Sequence, residues 1–463
     1  MGMTFSIIGL GKLGASYAAA IASRGYDVIG VDVNQRTVDL VNEGRAPVQE
    51  TDLEKTIASN KARIHATLSH QEAILNSDLT FVIVPTPSDE KGAFSLQYAA
   101  WAFKEIGKAL AVKRDYHNVV LTSTVLPGAT RYGLLPILEL ESGKAAGSDF
   151  GVCYSPEFIA LGSIIHDFLN PDFTLIGEID DRAGSQLEEC YAKIMENNPP
   201  CKRMNIENAE LTKIAINVFV TIKITFANML ANICEQISNG DVDAVTDALG
   251  TDKRIGHKYL KGGLGYGGPC FPRDNIAFAY LARAVGVQAD LAEVTDRYNR
   301  ALPIQHVGRL GTLIKPGATI AILGLAYKPC SHITEESQGI LLAKALSNNG
   351  YRVVAYDPLA NEMAKVELHD HAVIMDSIES CLNKADMVLI TTPDPVFKAL
   401  KAADFTRQSS TVTIVDYWRI LKKELSCQPH IHYVPMGQSI ENENNIKRLI
   451  KLWGEDYKNL NMK

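Results

Sequence analysis

The chain has 463 residues, of which 46% are apolar and 21% charged, and a formal net charge of −7. That length predicts two or three domains with sizeable cores, and that balance describes a water-soluble globular protein. An acidic chain with no long basic run excludes nucleic-acid polymers and anionic membranes as expected partners. The eight cysteines are scattered with no C-x-x-C pair. They predict a reducing, cytoplasmic setting and no disulfide framework or metal site.

Met1-Gly2-Met3-Thr4-Phe5-Ser6 formally fits an N-acylation pattern. However, Phe5-Ser6-Ile7-Ile8 reads as the start of a buried strand. Ala18-Ala19-Ala20-Ile21-Ala22 lacks the preceding basic region of a signal peptide. No run of 18 residues is free of charge, so no bilayer span is expected.

Residues 4–32 read as strand, turn, helix, strand. Gly9-Leu10-Gly11-Lys12-Leu13-Gly14 supplies the turn, and Asp32 stands 18 positions beyond Gly14 at the end of the second strand. With that context the glycine motif is the dinucleotide fingerprint of a Rossmann-like unit. Backbone N–H groups at the helix N-terminus meet a pyrophosphate. Asp32 holds ribose hydroxyls and repels a 2′-phosphate, which favours NAD over NADP, with Arg36 nearby opposing that preference.

Two further strands, 78–84 and 118–122, end in Pro85-Thr86-Pro87-Ser88 and Ser123-Thr124-Val125-Leu126-Pro127-Gly128. Thr86, Pro87, Ser123 and Thr124 thus fall at the ligand edge of a parallel sheet. Taken singly, such residues are more often turn chemistry. The plan recurs at Thr319–Leu325, Val353–Asp357, Ala385–Pro393 and Thr413–Asp416, an internal repeat with only part of the glycine motif. The second half is therefore expected to bind a different, nucleotide-like ligand.

Between the halves, residues 209–237 place Leu211, Ile214, Val218, Ile222, Phe226, Met229, Ile233 and Ile237 at helical spacing. Ile216, Val220 and Ile224 add apolar groups on other sides, which predicts a deeply buried helix. Lys213, Asn217 and Thr221 make a polar stripe along it. A second helix is expected over 241–249. The run Gly262-Gly263-Leu264-Gly265-Tyr266-Gly267-Gly268-Pro269-Cys270-Phe271-Pro272-Arg273-Asp274 then breaks regular structure. A helix is expected from Asn275 with Asp274 as its N-cap. Cys270 just before a helix N-terminus is placed where a thiolate is favoured. On spacing alone, a nucleophile and an inert cysteine in a glycine-rich connector weigh equally.

The glycine turn, Val84-Pro85-Thr86-Pro87, Ser123–Gly128, Ser155-Pro156-Glu157-Phe158, Ala209-Glu210-Leu211-Thr212-Lys213 with Asn217, the Cys270 loop and Leu323-Gly324-Leu325-Ala326-Tyr327-Lys328 run in order through nearly the whole chain. In them the chain resembles the UDP-glucose/GDP-mannose dehydrogenase family. The resemblance implies two Rossmann-like, doubly wound α/β domains with parallel sheets, joined by a long central helix and a helical dimerisation region. The segments are then 1–200 for NAD, 201–305 for the centre and the Cys loop, and 306–463 for the nucleotide sugar.

It also implies a four-electron oxidation of a sugar C6 alcohol to a carboxylate, through a thiohemiacetal and a thioester on Cys270. A nucleophile within reach of the aldehyde carbon prevents its escape. Lys213 and Asn217 can donate to a developing oxyanion. Glu157 and Asp274 are candidate bases for water, and Thr124 helps to position that water. The substrate positions implied are Glu157, Phe158, Lys213, Asn217, Arg254, Tyr259, Gly265, Tyr266, Gly267, Phe271, Tyr327 and Lys328, with Arg254 reaching the neighbouring subunit of a homodimer.

The sequence departs from the family pattern at three places. Leu161 replaces a second glutamate, Glu335 replaces an arginine near the cofactor, and the late Asp-x-Arg motif is shifted to Asp416-Tyr417-Trp418-Arg419. UDP-glucose is the first substrate expected, with GDP-mannose, UDP-N-acetylhexosamine and TDP-glucose as alternatives. From other classes, a two-electron hydroxy-acid dehydrogenase and a non-catalytic nucleotide-binding protein remain open. Cys330 and His332 are read as loop residues, since two soft ligands make no metal site.

Overall fold

The computed structural model describes residues 2–159, 162–405, 411–440 and 442–459. The chain divides into two compact units, residues 1–216 with 280–287 and residues 217–279 with 288–463.

The first unit is built on eight strands: β1 Thr4–Ile8, β2 Asp27–Val31, β3 Ile64–Thr67, β4 Leu79–Val82, β5 His117–Leu121, β6 Phe150–Tyr154, β7 Thr174–Glu178 and β8 Cys201–Asn205. Their order in the sheet is β3-β2-β1-β4-β5-β6-β7-β8. Pairing is parallel from β3 to β6, in line with the sequence reading. It then reverses, because β7 runs antiparallel to β6 and β8 runs parallel to β7. The expected all-parallel sheet thus carries a two-strand edge of opposite direction.

Alternation along the strands feeds two cores. Phe5, Ile7, Phe81 and Val120 pack on one face. Ile8, Val82, Val119 and Leu121 pack on the other. Both faces are apolar because helices cover both, as in doubly wound sheets. Each such large side chain, when fully buried, stabilises the fold by about 1.5–3 kcal/mol. A polar row lies within: Ser6 Oγ is 2.6 Å from Thr80 Oγ1, which is 2.7 Å from His117 Nε2. Burial holds the His117 imidazole at about 3, so it is neutral at pH 7.

The second unit carries β9 Thr319–Leu323, β10 Arg352–Tyr356, β11 Val373–Ile374, β12 Met387–Ile390, β13 Val412–Asp416 and β14 Ile431–Pro435. They form a parallel sheet in the order β11-β10-β9-β12-β13-β14. The run β10-β9-β12-β13 repeats the run β2-β1-β4-β5, so the internal repeat read from sequence is a repeat of topology. In each sheet the strand order reverses about the first strand, and the crevice beyond its carboxyl end is where such folds bind ligands.

The long helix spans Ile206–Gln236, 31 residues. The expectation of burial on all sides is corrected. Ile214, Val218, Ala227 and Ala231 are buried, whereas Leu211, Phe219, Phe226, Met229 and Ile233 are exposed, Phe219 by 63%. These five, spaced so that they share one face, form an open apolar stripe. By length and composition this is the one helix among the described residues apolar enough to cross a membrane. Along it, however, Lys213, Asn217, Thr221 and Asn228 each bond to other protein groups. The next helix is Val242–Thr251, capped by Asp241 through the Asp243 N–H.

Candidate active site

The first unit holds the glycine turn. β1 ends at Ile8, and helix Lys12–Ser23 begins after Gly11. Gly9 has φ +96°, and a Cβ there would strike the Ile83 carbonyl. A Cβ at Gly14 would strike the Gly9 carbonyl. Those two glycines are therefore required by the protein's own packing. Gly11 is different, since a Cβ there meets nothing within 4 Å, and as N-cap it offers no side-chain bond to the first turn. Open space at a helix N-terminus that has no side-chain cap suits a diphosphate.

Leu10 donates its N–H to Asp32 Oδ2 at 2.9 Å, and Asn34 donates to Oδ1 at 2.9 Å. Asp32 thus ties β2 to the turn while remaining half-buried. Lys12 and Leu13 open the helix, and Arg36 is exposed beyond it.

The hydroxyls at the sheet edge have local work. Thr86 Oγ1 donates to the Thr124 carbonyl at 2.7 Å. Ser123 Oγ donates to the Val84 carbonyl at 2.7 Å and accepts the Val84 N–H at 2.9 Å. They staple the segments that leave β4 and β5. Pro87 is exposed beside them.

The start of the long helix fixes the next two loops. Glu210 is fully buried and accepts N–H bonds from Gly128 at 2.6 Å and Thr130 at 2.8 Å, which anchors the turn after Thr124. Sequence reasoning gave Glu210 no role; its one signal was its place three residues before Lys213 and seven before Asn217, in line with the polar stripe. One turn on, Lys213 donates from Nζ to the Glu157 carbonyl, and its ammonium lies 4.7 Å from the Phe158 ring centroid. Glu157 follows β6. Burial pushes its carboxyl up to about 8, against a smaller opposing pull from Lys213. Leu161 lies outside the described residues.

A stability prediction follows from Glu157. The unfolded carboxyl titrates near 4.5 and the folded one near 8. The folded state therefore holds an extra proton between those values. This contribution is full below about pH 4.5 and is lost as pH rises towards 8. Melting curves across that window should show a smaller decline for Glu157→Gln than for wild type. Parallel declines would refute the shift.

The second unit holds the cysteine loop. Its helix spans Phe271–Ala284, so the expected start at Asn275 is corrected. Pro272 fits the first turn because the N–H it lacks has no intrahelical acceptor there. Asp274 is accordingly not the N-cap. It lies in the first turn and donates its N–H to the Cys270 carbonyl at 2.8 Å. Cys270, immediately before the helix, is exposed. Asp274 is 1% exposed, and Asn217 Nδ2 donates to its Oδ2 at 2.6 Å. Thr221 and Asn275 meet one turn further on, with Asn275 Nδ2 2.9 Å from Thr221 Oγ1. The polar stripe Lys213-Asn217-Thr221 is thus engaged along its length.

The aromatic candidates cluster by this helix. Phe271 packs edge-on against Tyr259 at 6.2 Å and Tyr266 at 6.3 Å. Tyr266 and Gly267 are buried, and Tyr259 is exposed with φ +64°. A Cβ at Gly268 would collide with the Tyr327 ring, and Lys328 Nζ lies 5.8 Å from that ring's centroid. Arg254 is exposed and folded onto Asp252, with Nη2 2.6 Å from Oδ2. Glu335 is exposed, and its carbonyl accepts the Gly268 N–H at 3.0 Å. Arg419, from the shifted motif, is buried and pairs with Asp243 at 2.7 and 2.8 Å. In the second sheet, Asp357 stands where Asp32 does in the first. It is buried, and its two oxygens accept N–H bonds from Leu325, Ala326, Leu359 and Ala360. That turn is closed by its own protein groups, unlike the turn at Gly11.

Family models for the UDP-glucose/GDP-mannose dehydrogenases match in three successive parts: the NAD-binding domain at residues 3–195, the central domain at 207–301 and the UDP-binding domain at 321–423. The chain belongs to this family. It is 38% identical to the UDP-glucose 6-dehydrogenase AglM of Haloferax volcanii, over 86% of this chain and 93% of that protein. It is 34% identical to a GDP-mannose 6-dehydrogenase of Pseudomonas aeruginosa, over 85% and 89% respectively. The solved structure of a UDP-glucose dehydrogenase from Pyrobaculum islandicum superposes with a TM-score of 0.85 at 32% identity, covering 95% of this chain and 98% of that one. The chain is thus an NAD-dependent oxidoreductase acting on nucleotide sugars. The open space above Gly11, the uncapped helix and the acidic Asp32 beside them fit NAD⁺.

Proposed function

We propose that this dehydrogenase oxidises the C6 alcohol of UDP-glucose to the carboxylate of UDP-glucuronate, with Cys270 as covalent nucleophile. The observation that carries the covalent route is an exposed thiol immediately before a 14-residue helix, beside a buried carboxylate in that helix's first turn that accepts from Asn217 of the long helix. NAD⁺, when bound, takes a hydride from the reacting carbon in each of two oxidations. The Cys270 thiolate adds to the intermediate aldehyde, and the oxygen gains a proton, giving a thiohemiacetal. Its oxidation leaves a thioester. Water then displaces the thiolate, releasing the acid.

Lys213 and Asn217 donate to the negative oxygen in this scheme. Glu157 or Asp274 takes the proton of the attacking water, which Thr124 helps to hold. Gly9 to Gly14, Asp32, Arg36, Thr86, Pro87, Ser123 and Thr124 serve the cofactor. Phe158, Tyr259, Gly265, Tyr266, Gly267, Phe271, Tyr327 and Lys328 serve the nucleotide sugar. Functionally the chain then divides at 1–200, 201–305 and 306–463, and works in the cytoplasm supplying polysaccharide synthesis.

The similarity to UDP-glucose 6-dehydrogenases at 38% and 32% identity favours UDP-glucose. The GDP-mannose enzyme at 34% keeps GDP-mannose as the second reading. NADH absorbance against UDP-glucose, GDP-mannose, a UDP-N-acetylhexosamine and TDP-glucose should rise with UDP-glucose, with two NADH per sugar. NADH from another sugar alone would move the substrate assignment. One NADH per sugar would remove the four-electron scheme.

The enzyme is further proposed to be a homodimer through the stripe Leu211, Phe219, Phe226, Met229 and Ile233, whose exposure in one chain is costly in water. Arg254 then reaches the neighbour's substrate. Sedimentation at micromolar concentration should show a dimer that Phe226→Asp shifts towards monomer. A stable 50.6 kDa monomer of wild type would count against it.

A further inference from the structure

The segment Gly262–Gly268 leads to Cys270 yet belongs to no sheet and has few side chains with which to anchor itself. Fixing a glycine backbone costs more entropy than fixing any other residue. The anchors come from elsewhere in the second unit. On the long helix, Asn228 is 2% exposed; its Oδ1 accepts the Gly263 N–H at 2.9 Å, and its Nδ2 donates to the Leu264 carbonyl at 3.1 Å. On helix Asp290–Leu310, Asn299 is 4% exposed. Its Oδ1 accepts the Tyr266 N–H at 2.9 Å, and its Nδ2 donates to the Tyr266 carbonyl at 3.0 Å. Each carboxamide presents one acceptor and one donor to the main chain, as a neighbouring strand would.

Outer contacts complete the hold. Arg419 Nη2 donates to the Gly262 carbonyl at 2.7 Å, and Gln338 Nε2 donates to the Tyr266 carbonyl at 3.1 Å. A Cβ at Gly265 would collide with Asn299 Oδ1, so a side chain at Gly265 would push the clamp away. Downstream of Cys270, the bond from the Asp274 N–H to the Cys270 carbonyl fixes the other side.

We propose that Asn228 and Asn299 are positioning residues of the thiol: acting as one-residue strand partners, they set where the loop delivers Cys270. This rests on Cys270 being the nucleophile. A thiol displaced by about 1 Å loses roughly 100-fold in rate while binding elsewhere is unaffected.

Leucine is close to asparagine in size and removes both bonds. Asn228→Leu and Asn299→Leu should each lower kcat for acid formation by about 100-fold, with the KM for NAD⁺ within about two-fold of wild type. Asn299→Asp adds a readout that a merely structural role would not move. A protonated carboxyl can accept from the Tyr266 N–H and donate to its carbonyl, whereas a carboxylate can only accept. Activity of Asn299→Asp relative to wild type at the same pH should therefore recover as pH falls, and that of Asn299→Leu should not.

In wild type, the amides of Gly263 and Tyr266 should exchange hydrogen more slowly than those of Gly265 and Gly267, which meet no acceptor among the described residues. This measurement decides the matter even if the leucine variants do not fold. Wild-type kcat in both leucine variants, or equal fast exchange of all four amides, overturns the proposal. If instead Cys270→Ser retains turnover, the nucleophile assignment itself fails.

Discussion

Cys270→Ser is expected to bind NAD⁺ and nucleotide sugar and to form almost no acid, with turnover falling by roughly 10⁴–10⁶-fold, the range seen when one member of a nucleophile–base–acid triad is removed. The side chain is accessible, it immediately precedes a helix whose N-terminal dipole favours negative charge, and its main chain is held from both sides. Serine keeps that geometry and loses the chemistry. A neutral hydroxyl adds poorly to an aldehyde, and an alkoxide is a poorer leaving group than a thiolate. The measurement is intact-protein mass after rapid quench with NAD⁺ and UDP-glucose. Wild type should carry a sugar adduct that Cys270→Ser lacks. Undiminished uronic acid formation by the serine variant would sink the covalent route.

What could be read from the sequence was what is decided locally. The turn at Gly9–Gly14 is legible because the strand before it, the helix after it and Asp32 all fall within one βαβ stretch. The repeat at Thr319, Val353, Met387 and Thr413 is legible because alternating apolar strands recur in the same order. The start of the Cys270 helix was misplaced because Pro272 reads as a breaker, whereas in a first turn it is tolerated. Periodicity gave the long helix apolar residues all round. It could not say that the chain covers Ile214 and Val218 and leaves Phe219 and Ile233 open. The reversal at β7 and the roles of Asn228 and Asn299 were illegible for a related reason. The carboxamides' main-chain partners lie 35 and 33 residues away, and nothing in the intervening sequence marks the pairing. Thr86 and Ser123 were placed correctly at the sheet edge, but their bonds to the Thr124 and Val84 carbonyls depend on the neighbouring strand.

Lys213→Ala should raise the barrier by about 2.7–4 kcal/mol, or roughly 10²–10³-fold in kcat, with a smaller change in KM. Lys213 is 9% exposed, and its ammonium donates to the Glu157 carbonyl and lies over the Phe158 ring. Taking a cation out of water is unfavourable, and the carbonyl and the ring face each offset part of that cost. An alkoxide during the first oxidation, or a thiohemiacetal oxyanion during the second, compensates it more fully. Because that charge exists only on the way through the reaction, the interaction lowers the barrier more than it tightens the ground state. Lys213→Arg should not restore the rate, since a planar fork cannot occupy the place of a compact ammonium over Phe158. Single-turnover NADH formation with the alcohol and, separately, with the aldehyde tests both halves. Lys213→Ala should slow each by a similar factor. A variant slow with the alcohol and normal with the aldehyde would confine Lys213 to the first oxidation. A rise in KM at unchanged kcat would make it a binding residue instead.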